Sequence, residues 1–146
     1  MIKLVIHGEP KGQPRARAYA MKFGNKYSAR MYDSDTADAW KAAVDAALKK
    51  ETAKDAAPSS LGFGVEMFFF FKRPKSHYKK NGELNSKAPI EKVSKPDGDN
   101  LCKLICDRVT RCGKVWHDDS QVVRLFVVKS WSECDSAAYV EIEEWK

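Results

Sequence analysis

Residues 95–122 decide how this chain is read. Lys95-Pro96-Asp97-Gly98-Asp99-Asn100-Leu101 opens the stretch, and Trp116-His117-Asp118-Asp119-Ser120-Gln121-Val122 closes it. Between them Leu101, Leu104, Ile105, Arg108 and Val109 recur at helical spacing, and Gly113 stands where a left-handed glycine would end a helix running to about Arg111. The spacing predicts a helix that starts at Asp97 or Asp99, followed by a strand from Val122. A helix and a returning strand bring the second acidic pair back towards the first. Four carboxylates gathered in this way repel one another, and a bound divalent cation best accounts for them.

Beyond that stretch, residues 122–131 read as one strand, and residues 137–145, where Tyr139, Val140, Glu141, Ile142 and Glu143 alternate, as another. Residues 61–71 form an aromatic-rich strand, apolar on both faces over residues 67–71 and therefore central, with Phe68 to Phe71 filling a core rather than stacking on bases. Residues 72–96 read as a basic loop, because Pro74, Gly82 and Pro89 block regular structure. A helix over residues 35–50, capped by Asp33 or Ser34, presents Ala39, Trp40, Ala43, Val44, Ala47 and Leu48 and is followed by a linker at residues 56–60. Ile2, Leu4 and Ile6 mark a first strand, and residues 11–31, with Gly12, Pro14 and Gly24, read as a long loop. The order β-α-β-loop-α-β-β predicts an α+β fold: one compact domain over residues 1–146, with a mixed sheet of about four strands and two main helices.

Charge points the same way as the acids. The chain carries 26 Lys and Arg against 20 Asp and Glu, a formal net charge of +6. Residues 11–30 hold six cations (Lys11, Arg15, Arg17, Lys22, Lys26, Arg30) and no acid; residues 72–95 hold eight cations and only Glu83 and Glu91. A basic surface around a small acidic centre suits a metal-dependent phosphodiesterase acting on nucleic acid, with cations on phosphates and carboxylates on metal. Cys102, Cys106, Cys112 and Cys134 contain no C-x-x-C pair and read as free thiols in a reducing compartment rather than zinc ligands. No signal-peptide pattern opens the chain, and the apolar run at residues 67–71 is too short to span a bilayer, so no membrane association and a cytoplasmic location are expected.

Each acidic motif also has a plainer reading. Asp97 or Asp99 can serve as a helix N-cap, and Asp118 with Asp119 can form a turn before a strand. The Asp-x-Asp pattern lacks the downstream Glu of an EF-hand loop. A non-catalytic module that binds branched DNA would use the acids only in those structural ways.

Taken together, Asp97-Gly98-Asp99-Asn100-Leu101-x-Lys103 and Trp116-x-Asp118-Asp119-x-Gln121-Val122 resemble the RusA family of Holliday junction resolvases. His7-Gly8-Glu9-Pro10-Lys11-Gly12-Gln13-Pro14-Arg15-Ala16-Arg17 is similar to the phage and prophage members of that family. The resemblance implies Mg²⁺ (for which Mn²⁺ can substitute) held by Asp97, Asp99 and Asp119, with Asp118 auxiliary. It also implies a functional Lys103, a four-way DNA junction as partner, a homodimer, and paired nicks in recombination and repair. Flaps or forks are the alternative branched substrates. Lys11, Arg15, Arg17, Lys72, Arg73 and Lys95 are the expected DNA contacts. Gly98 and the long insertion at residues 75–91 depart from the family pattern.

Overall fold

In the computed structural model every residue is described except Ala16, Asp33 and Ser34, and the side chains of Arg17, Tyr19, Arg30, Met31, Tyr32 and Asp35 are likewise outside the description. The cap expected at Asp33 or Ser34 therefore lies outside the described residues. In chain order the elements are β1 (Ile2–His7), β2 (Arg17–Phe23), β3 (Lys26–Tyr32), α1 (Asp38–Glu51), β4 (Phe63–Lys72), α2 (Gly98–Cys112), β5 (Val122–Ser132) and β6 (Ala137–Glu144). Single 3₁₀ turns precede α1, follow β4 and precede β5.

Strand β4 is central, as its apolar character requires. It pairs antiparallel with β6 and parallel with β5, and β6 carries β1, giving the mixed order β1-β6-β4-β5. A parallel pair needs a crossover, and α2 supplies it between β4 and β5. Alternation sends Phe63, Val65, Met67, Phe69 and Phe71 of β4 to one face, where they are buried with Leu4, Ile6, Val140 and Ile142. Helix α1 covers this face with Trp40, Val44 and Leu48, and α2 with Leu101, Leu104, Ile105 and Val109. Truncating Leu104 or Ile105 to Ala would cost about 2–5 kcal/mol, because both are fully buried and lost burial adds to the cavity left behind.

Arg108 shares the apolar stripe of α2 by spacing alone. Its guanidinium reaches Asp45 of α1 in a two-pronged ion pair (Nε to Oδ1, 2.7 Å), which ties the two helices together and raises the Arg108 pKa further.

Three expectations change. Residues 11–31 are not one loop: β2 and β3 form an antiparallel hairpin in register from Arg17↔Tyr32 to Phe23↔Lys26. No described residue of this ribbon is buried; its signals in the sequence are Tyr27, Ala29 and Met31 alternating with Lys26, Ser28 and Arg30, the large side chains Tyr19, Met21 and Phe23 at every second position, and the turn residues Gly24-Asn25 between them. Second, Phe68 and Phe70 do not join the core with Phe69 and Phe71; they lie on the opposite face, where Phe68 packs edge-on against Phe126 with ring centres 5.9 Å apart. Third, residues 72–96 are more ordered than a loop. They hold a 3₁₀ turn (Lys75–His77), a Tyr78↔Leu84 bridge, and a Glu91↔Ser130 bridge that covers the free edge of β5.

Candidate active site

Helix α2 begins at Asp97, whose backbone is extended (φ −69°, ψ 142°) and whose carbonyl accepts from Leu101 N at 3.0 Å. Its carboxylate makes no capping hydrogen bond, so Asp97 holds the N-cap position without using its side chain there. Asp99 follows in the first turn and is exposed. The second motif differs. Asp118 caps the 3₁₀ turn Asp119–Gln121 by accepting from Ser120 N at 2.9 Å, while Gln121 Oε1 accepts from the backbone of His117 (2.8 Å) and Asp118 (3.2 Å), completing a capping box. Those bonds from Ser120 hold the Asp118 carboxyl below its ordinary pKa. The turn expected at Asp118 is present, and Asp118 serves it.

Two motif residues with no assigned role prove to be anchors. Asn100 exchanges hydrogen bonds with Gln13: Gln13 N donates to Asn100 O, and Asn100 Nδ2 donates to Gln13 O, both at 3.1 Å. This docks the N-terminal segment on the first turn of α2. The approach is so close that a Cβ on Gly12 would lie 2.4 Å from Asn100 Nδ2, which explains the glycine. Gln121 Nε2 donates to the carbonyls of Ser59 (2.8 Å) and Leu61 (2.7 Å), fastening the second motif to the approach of β4. Trp116 is fully buried, donates from Nε1 to Thr110 Oγ1 at 2.7 Å and packs edge-on against Phe63.

The docked segment and the head of α2 enclose a cleft of about 570 Å³. Asp97, Asn100 and Glu9 line it, with Lys11, Arg15 and Lys95 as its cations. Behind the cleft lies the feature that sequence reasoning missed. Lys92 is only 8% exposed, the one buried charge among the described residues. Its Nζ donates to Lys95 O (2.6 Å) and Ser94 Oγ (2.7 Å) and sits over the rings of Trp131 (4.6 Å) and Phe71 (5.0 Å). Burial and then repulsion from Lys129 lower its pKa, partly opposed by Glu9. Lys129 Nζ in turn donates to Ser94 O (2.9 Å) and Pro96 O (2.7 Å). Three successive carbonyls before Asp97, across the cis Lys95–Pro96 bond, are therefore held by two ammonium groups. A lysine in a basic loop and another in a strand carry no signal for this in sequence.

Other expected residues lie elsewhere. Lys103 is exposed on α2, with Nζ 3.5 Å from Asp107. Lys72 pairs with Asp135 at 3.1 Å, and Arg73 Nη1 donates to Pro89 O at 2.6 Å, bracing the insertion. Lys11, which does line the cleft, pairs there with Glu9 at 3.5 Å, and the Arg17 side chain is outside the described residues.

The fields of Asp99 and Asp119 reach successive turns of α2. Burial first, and the field of Asp99 next, push the Cys102 thiol up to about 11; burial, Cys102 and then Asp119 push Cys106 up to about 12. These thiols stay protonated, so the donors at this end of α2 are carboxylate oxygens, which suit a hard divalent ion and not zinc. Among the described residues, no group of three or more His, Cys, Asp or Glu side chains stands close enough together to hold a metal ion. The donor chemistry fits, but the described acids do not close into a cage.

A family model described as Endodeoxyribonuclease RusA matches residues 7–143. Over 132 residues the chain is 28% identical to an uncharacterized protein, YqaN of Bacillus subtilis (strain 168), covering 90% of this chain and 89% of that one.

Proposed function

Since this chain belongs to the RusA endodeoxyribonuclease family, we propose that it is a Mg²⁺-dependent Holliday junction resolvase, acting in DNA recombination and repair where the DNA lies in the cytoplasm. The family's nucleases act on branched DNA and are generally divalent-metal dependent. The observation that carries the reading is Asp97. A carboxylate at a helix N-terminus, left out of the capping bond it could make, faces a cleft lined by Lys11, Arg15 and Lys95.

Asp97, Asp99 and Asp119 would hold the metal, and Asp118, occupied by its cap, would assist from behind. A divalent ion there would supply Lewis acidity at phosphorus and a more acidic water. The chain's own contribution is placement. Lys11, Arg15 and Lys95 would bind the backbone on either side of the cut, with Arg17, Lys72 and Arg73 extending the basic surface. Lys103 would exchange Asp107 for the scissile phosphate and offset its growing charge. Removing charge from Arg15 and Lys11 should weaken every junction sequence alike and flatten the salt dependence.

Two symmetric cuts call for two sites, so the active form is proposed to be a homodimer of the single domain spanning residues 1–146. The uncovered sheet face, with Phe68, Phe126 and Val5, supports such pairing. The test is incubation of the protein with labelled four-way, flap and linear duplex DNA, with and without Mg²⁺. Mg²⁺-dependent paired nicks on the four-way substrate support the reading. Preference for flaps moves the substrate, and binding without cutting reduces the protein to a DNA-binding module. In a heterodimer with Asp119→Asn, one nick per junction is expected; full resolution by a sedimenting monomer refutes the dimer.

A further inference from the structure

Beyond Arg17 at its root, the β2–β3 ribbon is a part of the molecule that the nuclease reading leaves unused. Over residues 17–32 it carries four cations (Arg17, Lys22, Lys26, Arg30), four aromatics (Tyr19, Phe23, Tyr27, Tyr32) and no acid. Two-stranded ribbons normally need another layer to be stable, yet residues 22–29 are exposed throughout. At the tip, Gly24 takes φ +60° so that the strands reverse over two residues. The tip is the least expected place for large apolar rings. Phe23 is 57% exposed and Tyr27 74% exposed. Register sets Phe23 opposite Lys26 and Lys22 opposite Tyr27, with Lys22 Nζ 5.7 Å from the Tyr27 ring centre. Because neighbouring positions alternate faces, each face of the tip presents one aromatic ring beside one lysine.

The root of the ribbon matters as much as its tip. Arg15, just before β2, and Thr36, just after β3, both line the Asp97 cleft. The ribbon therefore leaves from the rim of the candidate active site, and seven residues per strand give it a reach of about 23 Å. A surface with cations, exposed rings and no acid complements a polyanion that also offers ring faces: nucleic acid with accessible bases. Fully stacked duplex hides those faces, and a branch point exposes them.

We propose that the β2–β3 ribbon is a branch-sensing arm: Lys22 and Lys26 bind the phosphate backbone, and Phe23 and Tyr27 stack on bases exposed where DNA strands part. This assignment rests on the branched-DNA reading above and adds the contact by which branch and duplex are told apart.

The test uses the full chain and a four-way junction carrying 2-aminopurine either at the branch point or far along one arm, without divalent ion so that nothing is cut. Wild-type protein is expected to change fluorescence at the branch point only. Phe23→Ala and Tyr27→Ala should abolish that change and lower junction affinity about tenfold, while linear duplex affinity stays within about twofold. Lys22→Ala should weaken both substrates and flatten the salt dependence. Circular dichroism melts confirm that the variants are folded. Equal losses on junction and duplex, an unchanged branch-point signal, or a shift in sedimentation that makes the tip a contact between copies would each overturn the arm. Adding Mg²⁺ separates the two readings. Tip-dependent fluorescence without nicking keeps the arm and removes the resolvase; nicking with a tip-indifferent signal does the reverse.

Discussion

Asp97 and Asp118 occupy the same kind of position and use it differently. Both stand at the N-cap of a helical segment with extended backbone. Asp118 spends its carboxylate on Ser120 N, inside a capping box closed by Gln121. Asp97 makes no such bond and looks into a cationic cleft, over a backbone pinned by Lys92 and Lys129. A cap position therefore does not reveal an acid's work; the partner of its carboxylate does. One aspartate is part of the architecture; the other makes no capping bond, and in the proposed function it serves a ligand.

The contrast is most exposed to test through activity. Asp97→Asn, Asp99→Asn and Asp119→Asn should each lower Mg²⁺-dependent nicking by about 10³-fold or more, with junction binding equal or tighter because repulsion with phosphate is reduced. Melting temperature should hold or rise for Asp97→Asn, since no native side-chain bond is lost. Nicking near the wild-type rate in any of the three removes that residue from the site. A clear loss of stability in Asp97→Asn would make Asp97 a structural cap like Asp118.

Next in size is the support behind Asp97. Lys92→Met leaves the Lys95 carbonyl and Ser94 hydroxyl short of a donor, a cost of about 1–3 kcal/mol. Lys129→Met frees the carbonyls of Ser94 and Pro96 at a more exposed position. Nicking should fall about tenfold in Lys129→Met while junction affinity holds, because placement and not binding is lost. Faster amide exchange over residues 94–100 should accompany it. Unchanged exchange and unchanged nicking would show that the lysines brace the loop without serving Asp97.

What the sequence made legible follows from where apolar periodicity is strong. Helix α2, its glycine stop at Gly113 (φ +66°) and the central β4 were all readable, because one buried face imposes its spacing. The β2–β3 ribbon was harder to see: Tyr27, Ala29 and Met31 do alternate with Lys26, Ser28 and Arg30, but Gly12, Pro14 and Gly24 read as loop residues, and no described residue of the ribbon is buried to give the alternation an apolar face. In the site, the acids stood out as charges in excess of structural need. Asn100 and Gln121 were visible as motif letters but silent about their anchoring role, since the backbone they fasten lies 60 or more residues away in sequence (Asn100 on Gln13, Gln121 on Ser59 and Leu61), even though Gln121 also closes the local capping box. Lys92 was invisible: only burial distinguishes it from the lysines around it.

Asp118 gives the smaller, complementary effect. Asp118→Ala should lower the melting temperature by a few degrees while nicking changes only a few-fold, the reverse of Asp97→Asn. The pH dependence has a definite sign. The folded pKa lies below the ordinary 3.8, so the stabilisation is complete above that value and is lost as pH falls through the lower, folded one. Asp118→Asn should flatten the acid limb of the stability curve in that window. If Asp118→Ala instead stops nicking without affecting stability, the two caps have been assigned the wrong way round.

The finest test asks whether Asp99 and Asp119 share one strip of α2, with two thiols as reporters. Cys102 and Cys106 are buried with pKa values pushed up to about 11 and about 12, whereas Cys134 is exposed. At pH 8 the thiolate fraction of Cys106 would be on the order of one in ten thousand, so iodoacetamide should label Cys134 long before it in the native protein. Below its pKa the rate at Cys106 should rise about tenfold per pH unit, as its thiolate fraction does. Each aspartate raises the pKa of its own neighbour, so removing a charge should lower that pKa and speed alkylation. Asp119→Asn should act on Cys106 and Asp99→Asn on Cys102, by no more than a few-fold, because burial is the larger cause in both. Mass spectrometry of partially labelled protein reads the four rates at once. Labelling that responds to neither substitution would separate the second acidic motif from α2 and dissolve the shared site.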